Sequence, residues 1–379
     1  MDNADSRSGT IFVVTSHTAR SGARTGIQAL VRGLLYGLGE NGADYEAVRW
    51  SNWRQSVVPL SRSDQQHLCL ARPGSRNRAA ARNVAGSWLL LPEVIYEMNP
   101  TRLIRYARKR RMRAVAIFHD AIPITDPHFV RPQAARLHPR YMTALADIDL
   151  LIAVSNSAAE QFRLFVQKHR LRLPPICVCR SPGELPGIKR PSFTQISSDA
   201  VNILCVSTLE PRKNHRILLE AFELAALNRP HLSLDLVGDR YKHANSIADL
   251  VIAATSRNPN IAWSEHVTDD ELANFYRECD FTVYPSILEG FGLPIVQSLW
   301  NRRPCICANF GAMKETAFGG GCVTVDVREP AKLGEAMVAV ASDSILRQRL
   351  NDEIEKRHHK TWAEYTSEIQ EALARVGDS

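Results

Sequence analysis

No apolar run in this 379-residue chain approaches the ~20 residues a helix needs to cross a bilayer. The polar start, Met1-Asp-Asn-Ala-Asp-Ser-Arg7, has none of the apolar core of a secretion signal. The expectation is a soluble, cytoplasmic protein. CxxC pairs are missing as well. Among the eight cysteines, Cys177/Cys179 and Cys305/Cys307 are spaced by two inside apolar runs. That spacing points each pair to one strand face and predicts buried, reduced thiols rather than disulfides or metal ligands. No GxGxxG follows the first strand-like run, which argues against a nicotinamide cofactor. Nor does an Asp-x-Asp stand at a strand end to hold a divalent metal. Asp147 and Asp149 precede a strand-like run, and Asp269 and Asp270 open a helical one. No metal and no cofactor are expected. A strong excess of one charge is also absent: the net charge of +7 comes from 47 Lys and Arg dispersed among 40 Asp and Glu. That balance suits anionic small molecules or an anionic membrane surface better than nucleic acid.

What the chain does have is alternation. Strand-like runs at Ile11–Val14, Ala114–Phe118 and Leu150–Val154 alternate with helical stretches at Gly26–Leu38, Arg102–Arg113 and Ala158–His169, the last capped by Ser155-Asn-Ser157. Between Arg180 and Ala200 the pattern lapses into prolines, glycines and serines, a linker. It restarts with strands at Asn202–Val206, Leu232–Val237, Ile261–Trp263, Phe281–Tyr284, Pro304–Cys307 and Val323–Val325, separated by further helices. This predicts an α/β protein with parallel sheets covered by helices. Its N-terminal domain would span 1–190 (linker about 181–200), its C-terminal domain 200–360, and a tail helix 361–379. The length is too great for one core and suits two.

Two motifs stand at strand ends in the second half, where open α/β sheets bind ligands. The first, Ser207-Thr-Leu-Glu-Pro-Arg-Lys-Asn214, offers Arg212 as a planar fork and Lys213 as a compact charge, a pair suited to a diphosphate. The second, Pro285-Ser-Ile-Leu-Glu-Gly-Phe-Gly-Leu-Pro-Ile-Val-Gln297, offers Glu289 as an acceptor pair for sugar hydroxyls. Its Gly290 and Gly292 allow close backbone approach, and a helix begins near Pro294 whose free N–H groups can hold an anion. In the first half, His119 and Asp120 end a strand, where an imidazole can act through its ring or bind a hydroxyl. Ser21-Gly-Ala-Arg-Thr-Gly-Ile27 is a glycine-bearing strand-to-helix loop. A dense run of cations, Arg102, Arg105, Arg108–Arg111 and Arg113, surrounds a narrow apolar strip of Leu103, Ile104, Tyr106 and Ala107; placed on a helix, it would be a face for anionic lipid.

Together these residues resemble the family-four retaining glycosyltransferases of the GT-B fold, of the bacterial polysaccharide and lipopolysaccharide mannosyltransferase type. The resemblance is carried by Thr25-Gly-Ile27, Phe118-His-Asp120, Val154-Ser155, Thr208–Asn214, Val237-Gly238, His266-Val-Thr-Asp-Asp-Glu-Leu272 and Glu289–Val296, in that order. It implies two Rossmann-like domains facing a cleft, with the tail helix from Trp362 crossing back to the first. Arg212 and Lys213 would hold the donor diphosphate and steady the leaving group. Glu289 would bind the transferred sugar, and Gly290, Phe291, Gly292 and Leu293 would contact sugar and phosphate. His266 and Val267 would lie near the base. His119 would sit beside the reacting sugar, with Asp120, Thr25 and Gly26 on the acceptor side. One position departs from the family: a second Glu, eight residues after the first, binds the ribose, and here it is Gln297. Gln can accept and donate but lacks the charge.

The implied activity is metal-independent, retaining transfer of a hexose from a nucleotide diphosphate sugar, mannose from GDP-mannose as first choice. The acceptor would be a saccharide, lipid-linked, in cell-surface polysaccharide synthesis, with the enzyme peripheral on the inner face of the plasma membrane. The alternatives are a catalytically weak binding partner of another glycosyltransferase and a sugar-nucleotide epimerase.

Overall fold

The computed structural model describes residues 9–22, 25–68, 84–94, 96, 99–192, 200–229, 231–241 and 245–377. The chain divides into two compact units, residues 1–181 with 361–379, and residues 182–360.

The first unit holds a seven-stranded sheet of β1 (Ile11–Val14), β2 (Tyr45–Ser51), β3 (Ser56–Pro59), β4 (Trp88–Leu91), β5 (Arg113–Phe118), β6 (Leu150–Ala153) and β7 (Ile176–Val178), in the order β3-β2-β1-β4-β5-β6-β7. All pairs are parallel except the edge hairpin β2–β3. The central strands β1, β4 and β6 are buried at every residue, as expected where helices cover both faces. The strand order reverses between β1 and β4, so loops diverge there and leave the crevice where such sheets bind ligands. Sequence patterning passed over β2, β3 and β4. The hairpin is short and half-buried, and β4 follows residues 69–83, which lie outside the described segments.

The tail helix Trp362–Gly377 belongs to this unit. It packs on the helix Gly26–Glu40, where Gly33 and Gly37 clear a seat for Trp362. A Cβ on Gly33 would come within 2.0 Å of the Trp362 ring, and one on Gly37 within 2.3 Å of the Trp362 carbonyl oxygen. Asn41 Nδ2 donates to Ala363 O and Thr366 Oγ1 at 2.8 Å each, and Arg113 Nη2 donates to Gly377 O at 2.6 Å.

That last bond corrects the expectation of one basic helix over Arg102–Arg113. The helix is Pro100–Lys109; Arg110 caps it and Arg111 takes a left-handed φ of 55°. Arg113 starts β5 and lies over the Trp88 ring. The chain must leave the helix early because β5 starts one residue sooner than its apolar run suggests. The apolar strip of Leu103, Ile104, Tyr106 and Ala107 is buried.

The second unit holds a six-stranded, all-parallel sheet of β8 (Val201–Val206), β9 (Leu232–Val237), β10 (Ile261–Ser264), β11 (Phe281–Tyr284), β12 (Cys305–Ala308) and β13 (Cys322–Val325), in the order β10-β9-β8-β11-β12-β13. Its order reverses between β8 and β11. One core spans the sheet, from Phe222 and Leu234 through Phe281 and Ile306 to Met337. Cys305 and Cys307 lie on β12 and are buried, whereas Cys179 falls just beyond β7. The described cysteines are all free thiols.

Candidate functional site

The two second-half motifs meet at the reversal between β8 and β11. After β8, Pro211–Lys213 form a single 3₁₀ turn rather than an open loop, stopped by Asn214 in the left-handed region at φ 64°. Asn214 Nδ2 is anchored on Val327 O at 2.8 Å. After β11, Ile287 N donates to Arg212 O at 2.9 Å, which stitches the two loops together. Gly292, at φ 98°, then caps the helix Leu293–Trp300, so Pro294 occupies its second position rather than its first. Phe291 is fixed by Thr316, whose hydroxyl donates to its carbonyl at 2.5 Å.

Within this frame Arg212, Lys213 and Glu289 converge. Arg212 Nη1 lies 2.7 Å from Glu289 Oε2, and Lys213 Nζ lies 2.5 Å from Oε1. Tyr284 and Ser286 also donate to Oε1, at 2.7 and 2.6 Å. Lys213 donates to the Tyr284 hydroxyl at 2.7 Å. Arg212 Nε is held by Glu210 at 2.8 Å, and Thr208 donates to the same carboxylate at 2.7 Å. Burial alone would raise the Glu289 pKa. The charges of Arg212 and Lys213, with the donated hydrogen bonds, outweigh it and hold the carboxyl well below the usual range. Burial and the neighbouring Arg212 lower the Lys213 pKa, against the pull of Glu289 and Glu210. Burial, reinforced by Glu289, raises the Tyr284 hydroxyl, so it stays protonated and donates.

Glu289 is therefore more engaged than its expected role on a sugar requires. A carboxylate has about four acceptor positions, and four protein donors already address it. Two cations and two carboxylates sum to zero, so attraction for an anion comes from directed donors rather than net charge. Tyr284, Ser286, Glu210 and Thr208 were not anticipated. Tyr284 ends its strand next to the motif, and Glu210 lies inside one; that adjacency was the available signal.

Gln297 is buried on the helix after Glu289, with its Oε1 3.5 Å from the Tyr276 hydroxyl. Beneath it the chain passes so closely that a Cβ on Gly183 would lie 2.0 Å from Val296 O. His266 follows β10 in the left-handed region at φ 60°. Its backbone N and Nδ1 face Asp239 Oδ1 at 3.0 and 2.8 Å. Its ring is exposed. The Val267 side chain is half-buried against the small core of Leu204, Val237, Tyr276 and Cys279. Beside them Arg240 stacks on Trp263, 4.9 Å from the ring centroid, and pairs with Glu265.

In the first unit, His119 directly follows β5 and is buried. Its Nε2 lies 2.8 Å from Pro92 O, and a carbonyl only accepts, so Nε2 carries the proton. Burial lowers its pKa, against the pull of Pro92 O and Asp120, and favours the neutral ring; Nδ1 is then a lone-pair acceptor. Asp120 Oδ1 accepts from Ile122 N at 3.0 Å. Its carbonyl accepts from His138 Nε2 at 3.0 Å, while His138 Nδ1 takes the Tyr96 hydroxyl at 2.7 Å. Thr25 caps the helix Gly26–Glu40 in a reciprocal box with Gln28: Thr25 N and Oγ1 each lie 3.1 Å from Gln28 Oε1. At the β1–β4 reversal the buried Glu93 accepts from His17 N and Thr18 N at 2.9 and 2.7 Å, which ties the two diverging loops. Sequence reading missed Glu93 along with its strand.

Residues 190–357 match the family of glycosyl transferases group 1. The serotype-specific mannosyltransferase WbdA of Escherichia coli is 26% identical over 329 residues, covering 81% of this chain and 40% of WbdA. O-antigen chain mannosyltransferase B of Escherichia coli is 32% identical over 232 residues, 58% of each chain. The chain thus spans about two-fifths of the length of WbdA. Among solved structures, Anabaena Alr3699/HepE in complex with UDP and glucose superposes with a TM-score of 0.66 at 16% identity, covering 97% of this chain and all of HepE. Sucrose-phosphate synthase from Thermosynechococcus elongatus gives 0.68 at 14% identity, covering 97% and 99%. The fold is GT-B.

Proposed function

We propose that this chain, a GT-B protein of the glycosyl transferases group 1 family through its 190–357 segment, is a glycosyltransferase that moves a hexose from a nucleotide diphosphate sugar to a saccharide. The reading rests most on the convergence of Arg212, Lys213 and Glu289 at the β8–β11 reversal. Preorganised donors at that point suit a departing diphosphate, whose charge they would stabilise as the glycosidic bond breaks. Directed donation by Arg212 and Lys213 and by the free N–H groups of the helix start at Leu293 is the reason to expect metal-independent transfer. Retention at the anomeric carbon would follow from attack on the face the diphosphate leaves, with that phosphate accepting the acceptor's proton. Mannose from GDP-mannose is the first choice of donor, supported by the two mannosyltransferase relatives. Gly290–Leu293 would line the donor, His266 and Val267 its base, and His119 Nδ1 would accept a sugar hydroxyl. Asp120, Thr25 and Gly26 serve the acceptor.

A lipid-linked acceptor fits the surface of the first unit. Arg102, Arg105, Arg108, Lys109, Arg110 and Arg111 are exposed, and Trp53, at the β2–β3 turn, is 88% exposed. Cations near anionic headgroups contribute about 1 kcal/mol each, and Trp prefers the membrane interface. Among the described residues no helix is long and apolar enough to cross a membrane. The deciding experiment is a screen of nucleotide sugars that follows nucleotide release with and without saccharide acceptors. Release from GDP-mannose that depends on acceptor supports the reading. No release from any donor refutes it.

A further inference from the structure

Lys213 is a buried ammonium, and its position needs explaining. Its backbone sits in the short Pro211–Lys213 turn, but its Nζ is held by residues of β11 and the loop that follows. The Tyr284 hydroxyl lies 2.7 Å from Nζ and 2.7 Å from Glu289 Oε1. The ammonium has no acceptor, so Lys213 donates to the tyrosine oxygen. A carboxylate only accepts, so the tyrosine donates onward to Glu289. The order Lys213 to Tyr284 to Glu289 follows without further assumption. Nζ lies 5.1 Å from the centroid of the Tyr284 ring, out beyond its hydroxyl edge, so the hydroxyl oxygen is the contact the ring offers it. Tyr284 itself cannot turn away: it is 2% exposed at the end of a strand paired with β8 and β12.

Resting on the function proposed above, we infer that Tyr284 is the positioning residue for Lys213: its hydroxyl aims the ammonium at the diphosphate and keeps it charged. Glu289 cannot do this alone, because it also answers Arg212 and Ser286 and fixes only one direction of Nζ. With two donors committed, to Tyr284 and Glu289, the third N–H of Lys213 has one remaining direction for an anion. The groups facing Nζ are Arg212, which with burial disfavours its charge, and Glu289 and Glu210, which favour it. The neutral His215 and the protonated Cys205 stand behind it. Loss of the Tyr284 acceptor leaves that balance one partner poorer, so Lys213 gives up its proton at lower pH.

The test measures the affinity of the full chain for GDP and UDP by calorimetry from pH 6 to pH 10. Wild type should bind more weakly as pH rises through the Lys213 titration. Tyr284→Phe keeps the ring and should move that loss about one pH unit lower, the scale of one hydrogen bond to a charged group. At neutral pH it should weaken binding roughly tenfold. Lys213→Met should bind weakly with no such pH dependence. Tyr284 replaced by 3-fluorotyrosine keeps size and hydroxyl but accepts less well, so its curve should fall between wild type and Tyr284→Phe; this covers a Phe variant that folds poorly. Coincident curves for wild type, Tyr284→Phe and the fluorinated protein would overturn the role of Tyr284 alone. A wild type that binds neither nucleotide at any pH would overturn the proposed function and this inference with it.

Discussion

Glu289→Gln should damage stability as well as transfer. Glu289 is the only carboxylate shared by Arg212 and Lys213 at 2.7 and 2.5 Å in the described site, and the three side chains are 11%, 19% and 10% exposed. Gln has the same shape but removes the charge and turns one acceptor into a donor pair, which faces Arg212 or Lys213 head-on. Breaking a buried ion pair by neutralising one partner costs about 3–5 kcal/mol, because the other charge stays buried without compensation. With a urea slope of about 2 kcal/mol/M, the unfolding midpoint of the second unit should fall by about 1.5–2.5 M at pH 7.

The sign of the pH dependence follows from the depressed Glu289 pKa. Its contribution is complete above the unfolded carboxyl value of about 4.3 and is lost as pH falls below it. By pH 3 wild type should have lost nearly 2 kcal/mol that Glu289→Gln never had, at about 1.4 kcal/mol per pH unit. The gap between the two proteins should therefore narrow in acid. Urea titrations followed by far-ultraviolet circular dichroism at pH 7, 5 and 3 measure it. A variant within 0.5 M of wild type at pH 7, or a gap independent of pH, would show that the carboxylate is not the keystone of this cluster.

Arg212→Ala and Lys213→Ala should each lower kcat/KM for the donor by about 2–4 kcal/mol of transition-state stabilisation, read from initial rates; unchanged rates in both would return them to ordinary loop cations. Transfer should survive excess EDTA, and a chelated enzyme revived only by Mg2+ or Mn2+ would refute stabilisation of the diphosphate by Arg212 and Lys213 without a metal. Gly33→Ala drives a methyl into the Trp362 ring and should destabilise the first unit by about 1–3 kcal/mol in thermal melts. Sedimentation with anionic vesicles should show salt-sensitive binding that falls when Arg108–Arg111 are changed to Gln and again when Trp53 is changed to Ala, with no binding to neutral vesicles.

Period and punctuation made most of the second unit readable. Its strands are short apolar or alternating runs bounded by turn residues, and Leu232–Val237 and Phe281–Tyr284 have the bounds expected of them. The first unit was less legible because its information is tertiary. The β2–β3 hairpin is an edge with an alternating half-buried pattern, and it is held by Trp50 meeting Tyr106 edge-on at 5.7 Å, a contact between residues 56 apart in sequence. Arg113 belongs to a strand although the cationic run Arg108–Arg111 lies just before it, because Trp88 and Gly377 O receive its guanidinium. Motifs identified Arg212, Lys213 and Glu289 as residues but could not show that they bond to one another. Local pattern ranks side chains by type. It does not reveal which donors have already spent the acceptors of a carboxylate.

Gln297 shows the same limit from the other side. Read as a motif position, it is a ribose-binding carboxylate that has lost its charge. In the fold it is buried on a helix that leans on Gly183, with the Tyr276 hydroxyl near its oxygen and Asn301 Nδ2 on its carbonyl. The described cations of the cluster are already committed to Glu289 and Glu210. A carboxylate at 297 would need its own compensation, and burying a charge without a partner costs several kcal/mol. A neutral amide there meets Tyr276 without that penalty. The two positions of the motif thus divide the electrostatics. Glu289 carries the carboxylate that Arg212 and Lys213 share, and Gln297 adds no further charge to the buried helix that follows it.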